Sequence, residues 1–421
     1  MEMLKKIMDV RQAFQMLNPF VIKLLLIMFF VEFVKGALIV TILPVYMGTV
    51  LGLSAFAIGW SLSLQYIGDN MLRSPVGWII DRFGYRWCML GGVLSTFLSV
   101  LILSTQNELP WIITACILLG IGTSPLWPAV ISGATEAVGD QGKGTVMSII
   151  YLAWLTGVGL GPVVINIFIH HSYSSAFNLL ICIMIGVIVV ALLLPSKHRV
   201  QEQDIHAHTH KHKEKLSRIV RMKRYFNEIR RSLNVSKWFY PALFAQTFAL
   251  GLLTPVLILY ARTVLHLTPY EQSFLLAFGG LITVVCLIPV GRLVDRYGTR
   301  WFLHMGFLLS ALTLIAFTYF DAKPIVFVLV AFIGMGYACI IPAWNALIAE
   351  AIPVKERGTV WGFFLTIEGM GMIVGPIVAG RLWDKLGYHA PFLASGIVLL
   401  LLFVFHIVIS RHHKETKPVV R

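Results

Sequence analysis

Charge is scarce in this chain: Asp, Glu, Lys and Arg make up only 13% of its 421 residues, while 57% are hydrophobic. A soluble domain carries about 25% charged residues, so a water-soluble fold is excluded and a bilayer protein is indicated. Cysteine is scarce too. The five, Cys88, Cys116, Cys182, Cys286 and Cys339, fall in apolar runs without the pairwise spacing of a metal site, which excludes a disulfide framework and leaves them as packing residues. The runs lack the alternation of a barrel wall. They also lack a nucleophile set beside a base or a cluster of metal ligands, so no enzyme, cofactor or metal is expected. His170 and His171 stand together at the end of one run with no acidic motif nearby and read as interfacial residues.

What is present is a series of apolar stretches long enough to cross a bilayer, which takes about 20 residues. They fall at 19–43, 55–76, 87–105, 110–134, 145–169 and 175–195, then at 237–261, 269–291, 301–319, 324–349, 358–382 and 389–410. The expected fold is all-α and integral to the membrane, with twelve helices. The net charge of +14 and pI near 9.6 could point to nucleic acid, but the basic residues sit in short loops on one side, as the positive-inside rule requires. A nucleic-acid partner is therefore not expected, and both termini are placed on the cytoplasmic side of the plasma membrane. Lys5, Lys6 and Arg11 precede the first run as in a signal peptide. That run is too long and has no small-residue cleavage site, so it reads as a retained helix.

The chain is one unit written twice. Residues 75–87 recur as 289–301, an offset of 214 (289 − 75), and without any gap Tyr46 then matches Tyr260, Pro128-Ala129 match Pro342-Ala343, Glu136 matches Glu350 and Gly161-Pro162 match Gly375-Pro376. Repeated membrane halves are the usual frame of secondary transporters, whose site lies near the bilayer midplane. The expected division is 1–195 and 237–421 as two six-helix bundles, with 196–236 as a cytoplasmic linker. Between 196 and 237 there are twelve Lys or Arg against four acidic residues. Its alternate His206, His208, His210 and His212 read as a soluble tether rather than a zinc or nickel site. From Glu214 on, apolar residues at helical spacing among arginines suit an amphipathic helix held by anionic membrane lipids; a solvated connector is the other reading.

Gly77-x-x-x-Asp81-Arg82-x-Gly84-x-Arg86 joins the second and third runs, and Gly291-x-x-x-Asp295-Arg296-x-Gly298-x-Arg300 joins the eighth and ninth. This resembles the signature loop of the major facilitator superfamily, and the resemblance covers nearly the whole sequence. It implies two homologous six-helix bundles that work by alternating access, with the loop as a gating latch and Glu136 and Glu350 as its acidic partners. The other reading is that these charges only set topology. Gly157-x-Gly159-x-Gly161-Pro162 and Gly371-x-x-x-Gly375-Pro376 resemble the family's antiporter motif. There the glycines permit close packing and the prolines bend the helix.

Four ionisable residues lie inside expected helices: Glu32 with Lys35 at i+3 in the first, and Asp69 with Arg73 at i+4 in the second. Each costs about 2.5–3.5 kcal/mol facing lipid, so all four are expected to face a cavity or one another. Glu32 and Asp69 are the candidate proton carriers, with Lys35 and Arg73 as charge partners or ligands of an anionic group; a static ion-pair network is the alternative. Glu32-Phe-Val-Lys35-Gly36, Ser124-Pro125-Leu126-Trp127 and Pro342-Ala343-Trp344-Asn345 are similar to the proton-coupled lipoteichoic-acid glycolipid flippase branch. That resemblance implies a substrate cavity lined by Glu32, Lys35, Asp69, Arg73 and Trp127, to which Trp344 and Asn345 of the third string and Glu368, a carboxylate at comparable depth in the second half, are added as candidates; packing or interfacial anchoring is the other reading of the tryptophans. It also implies a lipid-linked disaccharide as substrate and protons as the coupling partner. The rival expectation is proton-driven efflux of drugs or other small molecules.

Overall fold

A computed structural model describes residues 18–138, 143–195, 239–351 and 357–415. The histidine run and the amphipathic stretch of the linker lie outside these residues. Helix α1 (Pro19–Gly36) begins where the Asn18 side chain accepts a 2.9 Å bond from the Val21 N–H and proline fills the first turn, a pairing that satisfies one free amide and spares another. It continues through π-helical turns at Ala37–Ile42 and Tyr46–Val50, with Leu43–Val45 between them. The first crossing therefore ends at Val50 rather than at residue 43. Pro44 has no amide hydrogen to give the ladder, and the wider turns carry the chain past it.

The next 51 residues, Ala55–Thr105, are two helices meeting at Gly84, whose φ of 82° and ψ of 169° are non-helical; they are α2 (55–83) and α3 (85–105). There follow α4 (Leu109–Thr123), α5 (Leu126–Val138), α6 (Lys143–Ile169) and α7 (Tyr173–Leu192). The second half runs α8 (Phe239–Leu253), α9 (Leu257–Thr263), α10 (Pro269–Tyr297), α11 (Thr299–Ala316), α12 (Lys323–Ala351), α13 (Arg357–Leu386) and α14 (Ala390–Glu415). No strand occurs among the described residues.

The segment expected to be a loop is largely helix. Gly77–Arg82 lie within α2, Gly291–Arg296 within α10, and the turn is made at Gly84 and at its repeat Gly298, with φ of 82° and 85°. A side chain is strained at such angles, so glycine alone lets one helix end and the next begin within a residue. Eleven of the described helical stretches are long and apolar enough to cross a membrane. Helix α2 completes twelve; it falls below that hydropathy because Gln65, Asp69, Asn70 and Arg73 occupy its middle.

The chain forms two compact units, one of Met1–Leu53, Trp60–His206 and Leu267–Phe274, the other of Ser54–Gly59, Ala207–His266 and Leu275–Arg421. In the first, α1 packs on α5, α6 and α7; in the second, α8 packs on α13 and α14, and α11 on α12 and α14. Some contacts recur in both units at the offset of 214. Tyr46 donates its hydroxyl to Asn107 Oδ1 at 2.8 Å, and Tyr260 donates to Asp321 Oδ1 at 2.6 Å. Gly120 abuts the Gln65 carbonyl, as Gly334 abuts that of Gly279.

Candidate functional site

Two helices supply the charged residues, and three-residue or four-residue spacing puts each pair on one face. Lys35 Nζ lies 2.7 Å from Asp69 Oδ2 and 3.9 Å from Glu32 Oε1, so it bridges the two carboxylates. Arg73 approaches Asp69 from the next turn of α2, with Nε and Nη2 each at 3.3 Å. Glu32 is 1% exposed and Asp69 2%. The four residues expected to face a cavity or one another therefore lie in contact within the first unit, Arg73 being half-buried.

The two carboxylates differ. Asp69 is held by both cations, whereas neither oxygen of Glu32 has a hydrogen-bond partner in its buried position. Glycine brings the backbones close enough for this arrangement. A Cβ on Gly120 of α4 would lie 3.1 Å from the Asp69 amide nitrogen, and one on Gly157 of α6 would lie 2.5 Å from the Phe29 carbonyl and 3.3 Å from the Glu32 Cβ. Neither contact tolerates a side chain, so α4 is pinned at Asp69 and α6 at Glu32.

Gln65 was missed in the sequence. It is fully buried one turn before Asp69, its Nε2 is 3.4 Å from Thr123 Oγ1, and its Oε1 has no partner. The signal was available, since 65, 69 and 73 follow the four-residue helical spacing. Trp127 is half-buried in an aromatic triad with Tyr151 at 5.4 Å and Trp154 at 5.6 Å between ring centroids. In the second unit Trp344 is buried and donates its indole N–H to Glu368 Oε1 at 3.1 Å, while Asn345 is exposed. At the offset of 214 the charged four correspond to Gln246, Ala249, Thr283 and Leu287, so the duplicated frame carries the ionic network in the first unit alone.

The latch residues stand as follows. Glu136 is exposed and accepts a 2.7 Å bond from the Tyr85 hydroxyl, where an arginine partner was expected. Asp295 and Arg296 are exposed, Arg82 is exposed and Arg86 and Arg300 are half-buried. The side chains of Asp81 and Glu350 lie outside the described ones, as does the surrounding of Gly77. Among the described residues nothing lies within 4 Å of a Cβ placed at Gly291. Ile288, one turn earlier on the same face of α10, is 64% exposed, in line with an uncovered face. Gly161 and Gly375 do serve close approach: a Cβ on Gly161 would run into the Phe33 carbonyl of α1 and one on Gly375 would lie 2.6 Å from the Gly251 backbone of α8, while α6 and α13 continue as helix through Pro162 and Pro376.

Comparison with known proteins bears on this arrangement. The family model described as Major Facilitator Superfamily matches residues 24–286 and 239–420. The chain belongs to the Major Facilitator Superfamily. Among curated relatives, a protein of Staphylococcus saprophyticus named "Proton-coupled antiporter flippase LtaA" is 27% identical over 398 residues, 92% of this chain and 94% of its own. The protein of the same name in Staphylococcus aureus is 25% identical over 391 residues, covering 91% and 93%. Among solved structures, the nucleoside transporter NupG aligns with a TM-score of 0.71 at 15% identity, over 93% of this chain and 99% of its own. A POT family transporter in complex with 5-aminolevulinic acid gives 0.73 at 15%, over 94% and 96%. At such identities these structures speak for the fold. As a superfamily member the chain is a multi-pass membrane transporter and not an enzyme.

Proposed function

We propose that this transporter is a proton-coupled antiporter of the plasma membrane that moves an amphiphilic glycolipid across the bilayer, with both termini cytoplasmic. One observation carries the reading: Lys35 stands between two buried carboxylates, 2.7 Å from Asp69 and 3.9 Å from Glu32. Protonating Glu32 breaks no hydrogen bond, whereas protonating Asp69 gives up contacts with Lys35 and Arg73. A proton arriving on either carboxylate frees Lys35 to favour the other, which ties proton uptake to a rearrangement of charge inside the first unit. Cargo hydroxyl or phosphate oxygens compete for the same two cations, so proton and cargo exclude each other, the condition for exchange.

The relatives named "Proton-coupled antiporter flippase LtaA" support this reading over more than nine-tenths of the chain. The aromatic triad around Trp127 offers flat faces on which a sugar ring stacks. Reconstitution into proteoliposomes with an imposed pH gradient tests the proposal. Labelled glycolipid is expected to move and to carry an opposite proton flux; a dye that elicits the flux while glycolipid does not would replace the flippase reading by drug efflux.

A further inference from the structure

Helices α1 and α7 of the first unit leave a groove between them. Leu26, Ile27 and Phe30 of α1 and Cys182, Gly186 and Val190 of α7 line a hollow of about 380 Å³. It is open, since Leu26 is 41% exposed and Cys182 and Gly186 are exposed too. A Cβ at Gly186 would meet nothing within 4 Å, so this glycine serves no close helix contact, although glycine is unfavourable inside a helix. Its effect is to deepen the hollow. One end of the groove is charged. Lys23 lies one turn before Leu26 and Ile27 on the same face of α1, and its Nζ donates a 2.8 Å bond to the Leu193 carbonyl where α7 ends. An ammonium has three donors, so two remain, and Lys23 takes part in none of the three ion pairs among the described residues. From Cys182 to Leu193 the helix rises by about 17 Å at 1.5 Å per residue, close to half of a hydrocarbon core of about 30 Å. The groove is thus one leaflet deep, with a cation at its end. Glu32 and Lys35 lie elsewhere on α1, about 200° and 140° round the helix from Phe30 at roughly 100° per residue.

We propose that the α1–α7 groove holds a resident anionic phospholipid, its phosphate on Lys23 and one acyl chain along Leu26, Phe30, Gly186 and Val190. A basic residue at the membrane surface attracts anionic lipid, and the apolar lining below it accepts the chain. A helix of a second copy, about 10–12 Å across, is too wide to enter a hollow of this size. The lipid straps α1 to α7 and is not the cargo, because the groove lies on the far side of α1 from the Glu32–Lys35 pair. The inference rests on membrane embedding alone and not on the antiport reading.

The test is native mass spectrometry of the purified full-length protein, stripped of lipid in neutral detergent and given phosphatidylglycerol or phosphatidylcholine with the same acyl chains. One phosphatidylglycerol is expected to stay bound under activation that removes phosphatidylcholine. Lys23→Gln is expected to bind phosphatidylglycerol about fivefold more weakly, the worth of one basic residue at an anionic surface, while Lys23→Arg retains it. Gly186→Phe fills the hollow and is expected to weaken binding of either lipid. A phosphatidylglycerol with a photoreactive group on its chain is expected to label peptides holding residues 26–30 and 182–190. Equal retention of the two lipids, labelling elsewhere, or undiminished binding by Gly186→Phe would overturn the proposal. So would a dimer that Gly186→Phe dissociates, which makes a second copy the occupant. If Lys23 only caps α7, Lys23→Gln lowers thermal stability without altering lipid preference, which also overturns it. The lipid comparison and the photolabelling need no variant, so a Gly186→Phe protein that fails to fold leaves the test intact. Neither glycolipid nor a pH gradient is used, so failure here is distinct from failure of the antiport reading.

Discussion

Lys35 is the residue on which the first unit's charges balance. Removing it as Lys35→Met leaves Glu32 with no cation within 4 Å and Asp69 with Arg73 alone. Stripping one partner from a buried pair costs about 3–5 kcal/mol, so a clear drop in the unfolding temperature is expected, and adding Glu32→Gln is expected to recover part of it. A double-mutant cycle by thermal unfolding measures that recovery; strict additivity would show that the residues do not interact. Glu32→Gln and Asp69→Asn are each expected to reduce pH-gradient-driven transport to background while the protein still inserts and purifies. Normal transport by both would remove them from proton coupling. The quartet was legible in the sequence because an ionisable residue in an apolar run is costly wherever it faces lipid. The unequal pairing of Glu32 and Asp69 was not legible, because it depends on which oxygen each cation reaches.

At the scale of the helix, glycines decide how near two backbones come. Gly120→Leu would drive a side chain into the Gln65 carbonyl and the Asp69 turn, and overpacking of this kind costs about 1–3 kcal/mol. Thermal unfolding is expected to show that loss, together with impaired transport, since α2 shifts where Asp69 is anchored. Gly291 is the contrast. Among the described residues nothing lies within 4 Å of a Cβ there, and alanine is favoured over glycine inside a helix by about 0.5–1 kcal/mol. Under the latch reading, Gly291→Ala leaves stability equal or higher yet slows transport, because the approach it blocks belongs to another conformation of the cycle. Unimpaired turnover would assign the glycine to topology alone. The sequence placed both motif copies between helices correctly in order, but it read as loop what is helix up to Gly84 and Gly298. A polar, arginine-rich stretch has the composition of a loop, and only the positive φ at one residue marks the real corner.

For the whole molecule, duplication explains why the two units share some internal contacts and yet differ in chemistry. The Tyr46–Asn107 and Tyr260–Asp321 bonds, the paired glycines at 120 and 334, and the corners at 84 and 298 are common to both. Among the described residues the buried Lys35–Glu32–Asp69–Arg73 network lies in the first unit, and the Trp344–Glu368 bond in the second. In proteoliposomes, collapsing the pH gradient with a protonophore is expected to stop net movement while leaving one-for-one exchange of labelled cargo. Loss of both would argue against an antiport cycle. Tags at either end are expected to react with impermeant reagents only after the cytoplasmic face is opened; reaction from outside would reverse the orientation.

The sequence by itself determined that the chain spans a membrane as helices, that it is a duplication, and that four ionisable residues of the first half fall within helices. These follow from composition, periodicity and the cost of charge in hydrocarbon, none of which needs coordinates. Only the tertiary structure decided that Lys35 stands between both carboxylates, that Gln65 is buried one turn before Asp69, that Trp127 packs with Tyr151 and Trp154, that Glu136 bonds to Tyr85, and that Glu368 is held on one side by Trp344. Those facts depend on helix rotation and on the distance between backbones, which are fixed by which glycine faces which carbonyl. That relation links residues far apart in the chain and leaves no local pattern to read.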